Sequence, residues 1–391
     1  MTGKLFENEK GAGPADVPPT DPAWVDEHRK RTYQSYEGFL RRKLAELYAA
    51  RGEKWRRDYS SEDAYRRSVA PARRRLAEML GWWVEPERRA AVKTFEEETL
   101  LEEKDFNARR FRMEVLPGLD TYGVELVPRT KGRHPGLIAQ HGYSGTPELV
   151  CGLAASANTE DGSYRSLGLR AVRRGFHVVA VHHPGGYGSS EDALSGIPGF
   201  PNHPTTYGKN RLHRFATLAG GTLFGLDLMG SSRGVDVLVS RGDVDAGKIA
   251  IYGLSQGGQT AMYLAALDER IRASVSSGNF NERLTKLIGP IRGLNYVDST
   301  EEDKFFREVV SHFSDADLVS LIAPRAFAAE AGLADTVVDF EKAEAEFARA
   351  REHYEKLGIG ERAEFIAHRE GHVSATGRAF EFLMENLERP T

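Results

Sequence analysis

Five consecutive residues carry the sharpest chemical signal in the chain: Gly253-Leu254-Ser255-Gln256-Gly257, a G-x-S-x-G. A run that favours a strand, Lys248-Ile-Ala-Ile-Tyr252, precedes it, and a helical run beginning near Gln259 follows. Strand, tight turn and helix together are the setting of a nucleophile elbow. The turn strains the backbone at Ser255, and the flanking glycines let neighbouring backbone approach. The serine then stands at a helix N-terminus, where the dipole favours a developing negative charge. The plainer reading, a glycine-rich helix start, leaves this combination of strand and helix unexplained.

A serine hydroxyl is a weak nucleophile until a base removes its proton. Among elbow enzymes of this kind the acid follows the nucleophile in the chain and the histidine comes last. Arg325-Ala-Phe-Ala-Ala-Glu-Ala-Gly-Leu-Ala-Asp335 reads as strand, turn and acid. Phe365-Ile-Ala-His-Arg-Glu-Gly-His372 reads as strand end, loop and base. Asp335 is therefore expected to orient His372, which is expected to act as general base. Glu330 and Asp339 are the rival acids, one still in the strand and the other in the next helix. His368, at a strand end, is the rival base and is expected to be structural.

Acyl transfer also needs donors for the oxyanion. Ile138-Ala-Gln-His141-Gly142-Tyr143-Ser144-Gly145 follows a strand, and the Tyr143 N–H is expected to act with the Gln256 N–H. Tyr143, Tyr187 and Phe280 are candidate pocket walls. Other eye-catching residues read blandly. His182-His183 ends a strand with nothing nearby to complete a metal set. Gly185-Gly-Tyr-Gly188 is not a dinucleotide fingerprint, since no helix opens after it. Cys151 is expected to pack as a small hydrophobe.

The elements that must position these groups follow from periodicity. Residues 1–21 are rich in Gly, Pro and Asp and read as a flexible arm. Residues 22–90 read as a helical region. Asp21-Pro22 resembles a cap with proline in the first turn, and Tyr33, Tyr36, Leu40, Leu44 and Leu47 recur at helical spacing. A second helix is expected from Ser60 or Ser61, and a third from Pro71 to Gly81. Seventeen Lys and Arg face nine Asp and Glu between Arg29 and Arg89; solvated faces and ion pairs explain this better than an anion-binding patch.

From 91 to 391 the pattern is that of one α/β core with two long insertions. Thr94 to Val127 reads as two or three antiparallel strands. Short apolar runs at 136–139, 177–181, 249–252, 271–275, 326–329 and 363–367 then alternate with helical patterns near 163–174, 223–240, 256–267, 338–357 and 375–388. Apolar strands alternating with helices imply a parallel sheet covered on both faces. Two connections, 183–222 and 278–322, exceed ordinary loops and read as binding loops or a cap.

Composition narrows the field. The chain has 391 residues, net charge −4 and one cysteine. A single cysteine excludes an intrachain disulfide and a cysteine-rich zinc site. The slight acidity argues against nucleic-acid binding. No apolar run approaches the length of a membrane span, and the N-terminus has no signal-peptide pattern. A cytoplasmic protein without metal or cofactor is expected, with a homodimer as an open expectation.

His141-Gly-Tyr, Pro184-Gly-Gly-Tyr-Gly, Val244 through Ser255-Gln-Gly-Gly, Ala266-Leu-Asp-Glu-Arg-Ile-Arg, Ser276-Ser-Gly, Leu321-Ile-Ala-Pro-Arg and Gly371-His372 together resemble the acetyl xylan esterase/dienelactone hydrolase-like branch of the α/β-hydrolases. The resemblance covers residues 90–391, and residues 22–90 are similar to the helical extension that members tend to carry. It implies an α/β-hydrolase fold, a mostly parallel sheet flanked by helices, with a cap-like insertion. It also implies metal-independent ester hydrolysis by Ser255, Asp335 and His372 on a small or medium acyl ester. A xylan substrate is not implied, because fold does not carry substrate with it. The same triad could cleave a C–C bond in a β-diketone-type substrate or an amide. A non-catalytic binding protein on this scaffold would need a broken triad, and every expected slot is filled.

Overall fold

The computed structural model describes residues 21–143, 145–153, 162–184, 205–291 and 293–389. They divide into a small unit ending at Leu47 and a large one from Tyr48 onward. Helix α1 spans Pro22–Ala50, and its residues through Leu47, with Asp21, are the described part of the small unit. Asp21 Oδ1 accepts the Ala23 N–H at 3.0 Å, capping the helix where the Asp-Pro pair predicts.

In the large unit, α2 spans Glu62–Leu80, and the Ser61 hydroxyl caps it by accepting the Ala64 N–H. Pro71 lies inside α2 rather than opening a third helix. A proline inside a helix removes one N–H bond. Burial of Tyr65, Val69, Leu76, Met79 and Leu80 along one face outweighs that loss. Helix α2 is built into the large unit. Tyr65 Oη donates to the Ser320 carbonyl at 2.9 Å, and Arg73 donates to the carbonyls of Ala266 and Leu321. Much of the local basic excess is spent on ion pairs, including Arg51 and Arg57 with Asp317, Arg73 with Glu269 and Arg89 with Asp236.

The chain then builds one nine-stranded sheet. Strands β1 (Thr94–Glu102), β2 (Phe106–Leu116) and β3 (Leu119–Pro128) form an antiparallel meander. There follow β4 (His134–Gln140), α3 (Pro147–Cys151), α4 (Leu167–Val172), β5 (His177–Val181), α5 (Thr205–Leu218), α6 (Leu223–Ser240), β6 (Val244–Leu254) and α7 (Gln256–Leu267). The rest comprises β7 (Ile271–Ser277), α8 (Arg283–Ile288), α9 (Val309–His312), α10 (Asp315–Ile322), β8 (Ala326–Gly332), α11 (Phe340–Lys356), β9 (Ala363–His368) and α12 (Gly377–Glu388). Strand order is β1-β2-β3-β5-β4-β6-β7-β8-β9. β5 runs antiparallel to β3, and every pairing from β5 through β9 is parallel.

Strands sandwiched between helices read as unbroken apolar runs, and all five residues of β5 and all seven of β8 are buried. On one face Leu137, Ala139, Val178, Ala180 and Tyr252 pack with Phe380 and Leu383 of α12, and Cys151 lies in the same cluster as a small buried hydrophobe. Of the long insertions, 183–222 contains α5, with residues 185–204 outside the described set, and 278–322 contains α8 to α10. Among the described residues no helix is long and apolar enough to cross a membrane. The loops after β4, β6, β8 and β9 emerge at the carboxyl ends of parallel strands, where open α/β sheets bind ligands.

Candidate active site

Ser255 is the single residue between β6 and α7, held at φ 61° and ψ −121°. A non-glycine residue there is strained, and the fold must over-determine it. Its N–H donates to the Ser277 carbonyl at 2.8 Å, and its carbonyl accepts the Gln259 N–H at 2.9 Å. The glycines on either side have steric work to do. A Cβ on Gly253 would fall 2.3 Å from the Gly257 carbonyl oxygen, and one on Gly257 would fall 2.2 Å from that of Gln140. The turn packs directly on the end of β4.

A second G-x-S-x-G, Gly230-Ser231-Ser232-Arg233-Gly234, lies within helix α6, where the Ser232 hydroxyl donates to Asp268 at 2.5 Å. The motif alone therefore does not single out Ser255; the strand–turn–helix around it does.

Asp335 follows β8 and His372 follows β9, and the structure brings them together. His372 Nδ1 donates to Asp335 Oδ2 at 2.8 Å. The other oxygen, Oδ1, accepts the N–H groups of Val337 and Val338. Burial alone would raise the Asp335 carboxyl. The His372 hydrogen bond and charge, with the two backbone donors, outweigh it and hold the group below the ordinary carboxylate range. The two loops are zipped by Leu333 and Ala334 N–H groups donating to the carbonyls of His368 and Glu370. A Cβ on Gly278 would lie 2.8 Å from His372 Cε1 and 3.0 Å from Leu254 Cδ1, so the imidazole sits over the end of β7 beside the elbow.

The rival acids are engaged elsewhere. Glu330 is buried in β8 and accepts the Tyr252 hydroxyl at 2.7 Å, and burial raises its pKa. Asp339 caps α11 by accepting the Lys342 N–H. His368 closes β9, with its Nδ1 buried.

The loop after β4 reaches the elbow, since a Cβ on Gly142 would come 3.2 Å from Ser255 Cβ. Two residues shape this loop that the sequence reading did not assign. Tyr164 Oη accepts the Gly142 N–H at 2.9 Å. His141 Nε2 accepts the His183 N–H at 3.2 Å, which leaves Nδ1 to donate to the Gly142 carbonyl at 2.9 Å. Burial lowers the His141 pKa to about 3, so the ring is a neutral strut. Gln256 opens α7, and its N–H lies in the first turn, beyond reach of any intrahelical carbonyl.

A buried charge cluster stands behind these residues. Lys209 of α5, 2% exposed, places Nζ 2.9 Å from Asp303 Oδ2 and donates to Gln256 Oε1 at 2.5 Å. The same Nζ is 4.3 Å from the centroid of the Tyr143 ring. Lys304 Nζ is 3.2 Å from Asp303 and 5.7 Å from the same ring. Asp227 of α6 faces the cluster at 3.5 Å from Gln256 Nε2, and burial pushes its carboxyl up to about 8. Nothing in the local sequence marks these residues, because the two long insertions supply the lysines and Asp303.

The pocket candidates fare differently. Tyr143 lies in the loop after β4. Phe280 is a core residue, 2% exposed and packed against Phe327 and Phe347, so it forms no pocket wall. Its position just past β7 suggested a site loop, but apolar burial took the ring inward. Tyr187 and Gly185–Gly188 lie outside the described residues. His183 bonds Ser231, and no group of three metal-ligating side chains occurs among the described residues.

No family model matches the chain. The putative hydrolase YtaP of Bacillus subtilis (strain 168) is 26% identical over 238 residues, 57% of this chain and 70% of that protein. A putative acetyl xylan esterase from Bacteroides fragilis NCTC 9343 superposes with a TM-score of 0.63 at 18% identity, covering 85% of this chain and 82% of its own. A glucuronoyl esterase from Solibacter usitatus superposes with a TM-score of 0.59 at 14% identity, covering 84% and 94%.

Proposed function

The chain has the α/β-hydrolase fold, and from that premise we propose that it is a serine hydrolase cleaving a carboxylic ester. What supports this most is the strained elbow at Ser255 together with the His372–Asp335 hydrogen bond at 2.8 Å. In this reading Ser255 Oγ attacks the ester carbonyl while His372 Nε2 takes its proton. Asp335 holds the imidazole in the tautomer that leaves Nε2 free and stabilises the imidazolium. The carbonyl oxygen becomes an oxyanion facing the N–H groups of Tyr143 and Gln256.

Collapse of the tetrahedral species breaks the ester C–O bond, and His372 returns its proton to the departing alcohol. Water then gives a proton to His372 and adds to the acyl-enzyme. The second collapse releases the acid and restores Ser255. The substrate class is a small or medium acyl ester. The names of the structural relatives make esters on sugars the first to try.

The test is direct. The protein should hydrolyse short aryl esters and take up a fluorophosphonate at Ser255, and Ser255→Ala should lose both. Ester turnover surviving in Ser255→Ala would sink the assignment.

A further inference from the structure

We infer that Lys209 is a positioning residue for the oxyanion site, its ammonium fixing the side chains of both Gln256 and Tyr143. The inference rests on the ester-hydrolase reading and extends it to a residue from the long insertion.

A buried ammonium is costly unless each of its donors is used. Lysine has three N–H donors, and Lys209 meets three partners: Asp303 Oδ2 at 2.9 Å, Gln256 Oε1 at 2.5 Å and the Tyr143 ring at 4.3 Å. The last is a cation–π contact, strongest where water is excluded. Gln256 is then held at both ends of its amide, with Nε2 directed at Asp227 Oδ2. One buried group thus grips the side chains of both residues whose backbone N–H groups face the oxyanion. Small displacements of such donors are expensive, because preorganisation is what makes them effective.

The charges around Lys209 are paired. Asp303 is shared by Lys209 and Lys304, which hold its carboxyl near 2 against the upward push of burial, and Lys304 also meets Glu301 at 3.6 Å. The donors that Lys209 positions act on the oxyanion of the tetrahedral species and not on the neutral ester, so its effect belongs in kcat.

The plainer role would be to dock α5 onto the turn at Glu302–Lys304, alongside the contacts of Asn210 with Thr300 and Arg214 with Glu302. An anchor of that kind would change stability without selecting the transition state.

The experiment compares wild type, Lys209→Met, Gln256→Met and the double variant on a short aryl ester. It also measures inhibition by a trifluoromethyl ketone, whose tetrahedral adduct carries the oxyanion. Losing one donor outright costs about 10²–10³-fold, so loosening two should lower kcat about 10- to 100-fold in Lys209→Met. KM should stay within about three-fold, and ketone affinity should fall in parallel with kcat. Gln256→Met keeps the N–H and removes the acceptor of Lys209, so it should share the defect, and the double variant should fall short of additivity. A folded Lys209→Met with kcat within two-fold of wild type would overturn the inference, as would a loss confined to KM or full additivity. If Lys209→Met does not fold, an undiminished kcat in Gln256→Met overturns it instead. Failure of wild-type Ser255 to react with fluorophosphonate would defeat the underlying reading, a result distinct from all of these.

Discussion

His372 Nδ1 and Asp335 Oδ2 lie 2.8 Å apart across 37 residues of chain, and the carboxylate is aimed as well as near. Val337 and Val338 occupy Oδ1, so only Oδ2 faces the ring. The Asp335 side chain is 1% exposed and that of His372 25%, which buries the orienting end of the pair and leaves the imidazole accessible. A carboxylate fixed in this way acts through direction, so substitutions that keep its shape but change its charge are informative.

Asp335→Asn should keep the fold and lower kcat by up to about 10⁴-fold, because an amide can donate to Nδ1 and favour the wrong tautomer. Asp339→Asn keeps a good cap on α11 and should be nearly silent. Glu330→Gln should affect stability through its bond to Tyr252 and leave kcat within a few-fold. Steady-state kinetics on an aryl acetate, with a melting curve for each variant, checks all three. A kcat loss in Glu330→Gln matching that in Asp335→Asn would point to the other acid.

What could be read from the sequence was local. The helix after the elbow was expected at 256–267 and spans Gln256–Leu267; β5 was expected at 177–181 and spans His177–Val181. Both follow from short-range period and glycine placement. Asp335 and His372 were reachable because the order of strands fixes which loops meet. Lys209, Tyr164 and His141 were not, since their roles depend on contacts with residues far off in the chain or on burial that no window of sequence records. Pro71 misled because a local rule lost to packing along α2, and Phe280 because an aromatic ring after a strand can turn inward as readily as toward a site.

Asp227 sets a pH dependence whose sign can be worked out. Facing its carboxyl are Lys209 from α5, Asp303 and Lys304 from the second insertion, His183 from the loop after β5 and the amide of Gln256. Burial, opposed in part by the lysines, puts its folded pKa at about 8. Below about pH 4 the unfolded carboxyl is protonated as well and the group costs nothing. Between there and pH 8 only the unfolded state has lost the proton, so stability falls as pH rises. Asp227→Asn removes that slope. Its melting temperature relative to wild type should climb from pH 5 to pH 8 and then level off. An offset independent of pH would show that the carboxyl is not held protonated.

Two glycine substitutions should separate geometry from folding. Gly278 has φ +60°, and an added Cβ would crowd His372 Cε1 at 2.8 Å. Gly278→Ala should therefore displace the imidazole and lower kcat at least about ten-fold, with a modest stability cost from the positive φ. Gly257→Ala drives a Cβ to 2.2 Å from the Gln140 carbonyl oxygen, where backbone meets backbone. That variant should fail to accumulate as folded protein. Soluble yield, circular dichroism and fluorophosphonate labelling rate distinguish the two, and normal labelling by Gly278→Ala would mean that His372 is not held where the structure places it.

Tyr164 supplies the last test, because its hydroxyl does one thing for the loop after β4: it accepts the Gly142 N–H at 2.9 Å. The ring belongs to the apolar cluster under the sheet, so Tyr164→Phe keeps the packing and deletes the acceptor. A backbone N–H left without a partner costs about 1–3 kcal/mol, and the loop can regain the bond only by moving. Since Gly142 abuts Ser255 and precedes Tyr143, that movement shifts the proposed oxyanion donor. Tyr164→Phe should lower both the melting temperature and kcat, and the ketone adduct should weaken along with kcat. A variant that loses stability while keeping full kcat would show that the loop tolerates the shift and that the Tyr143 N–H is not part of the oxyanion site.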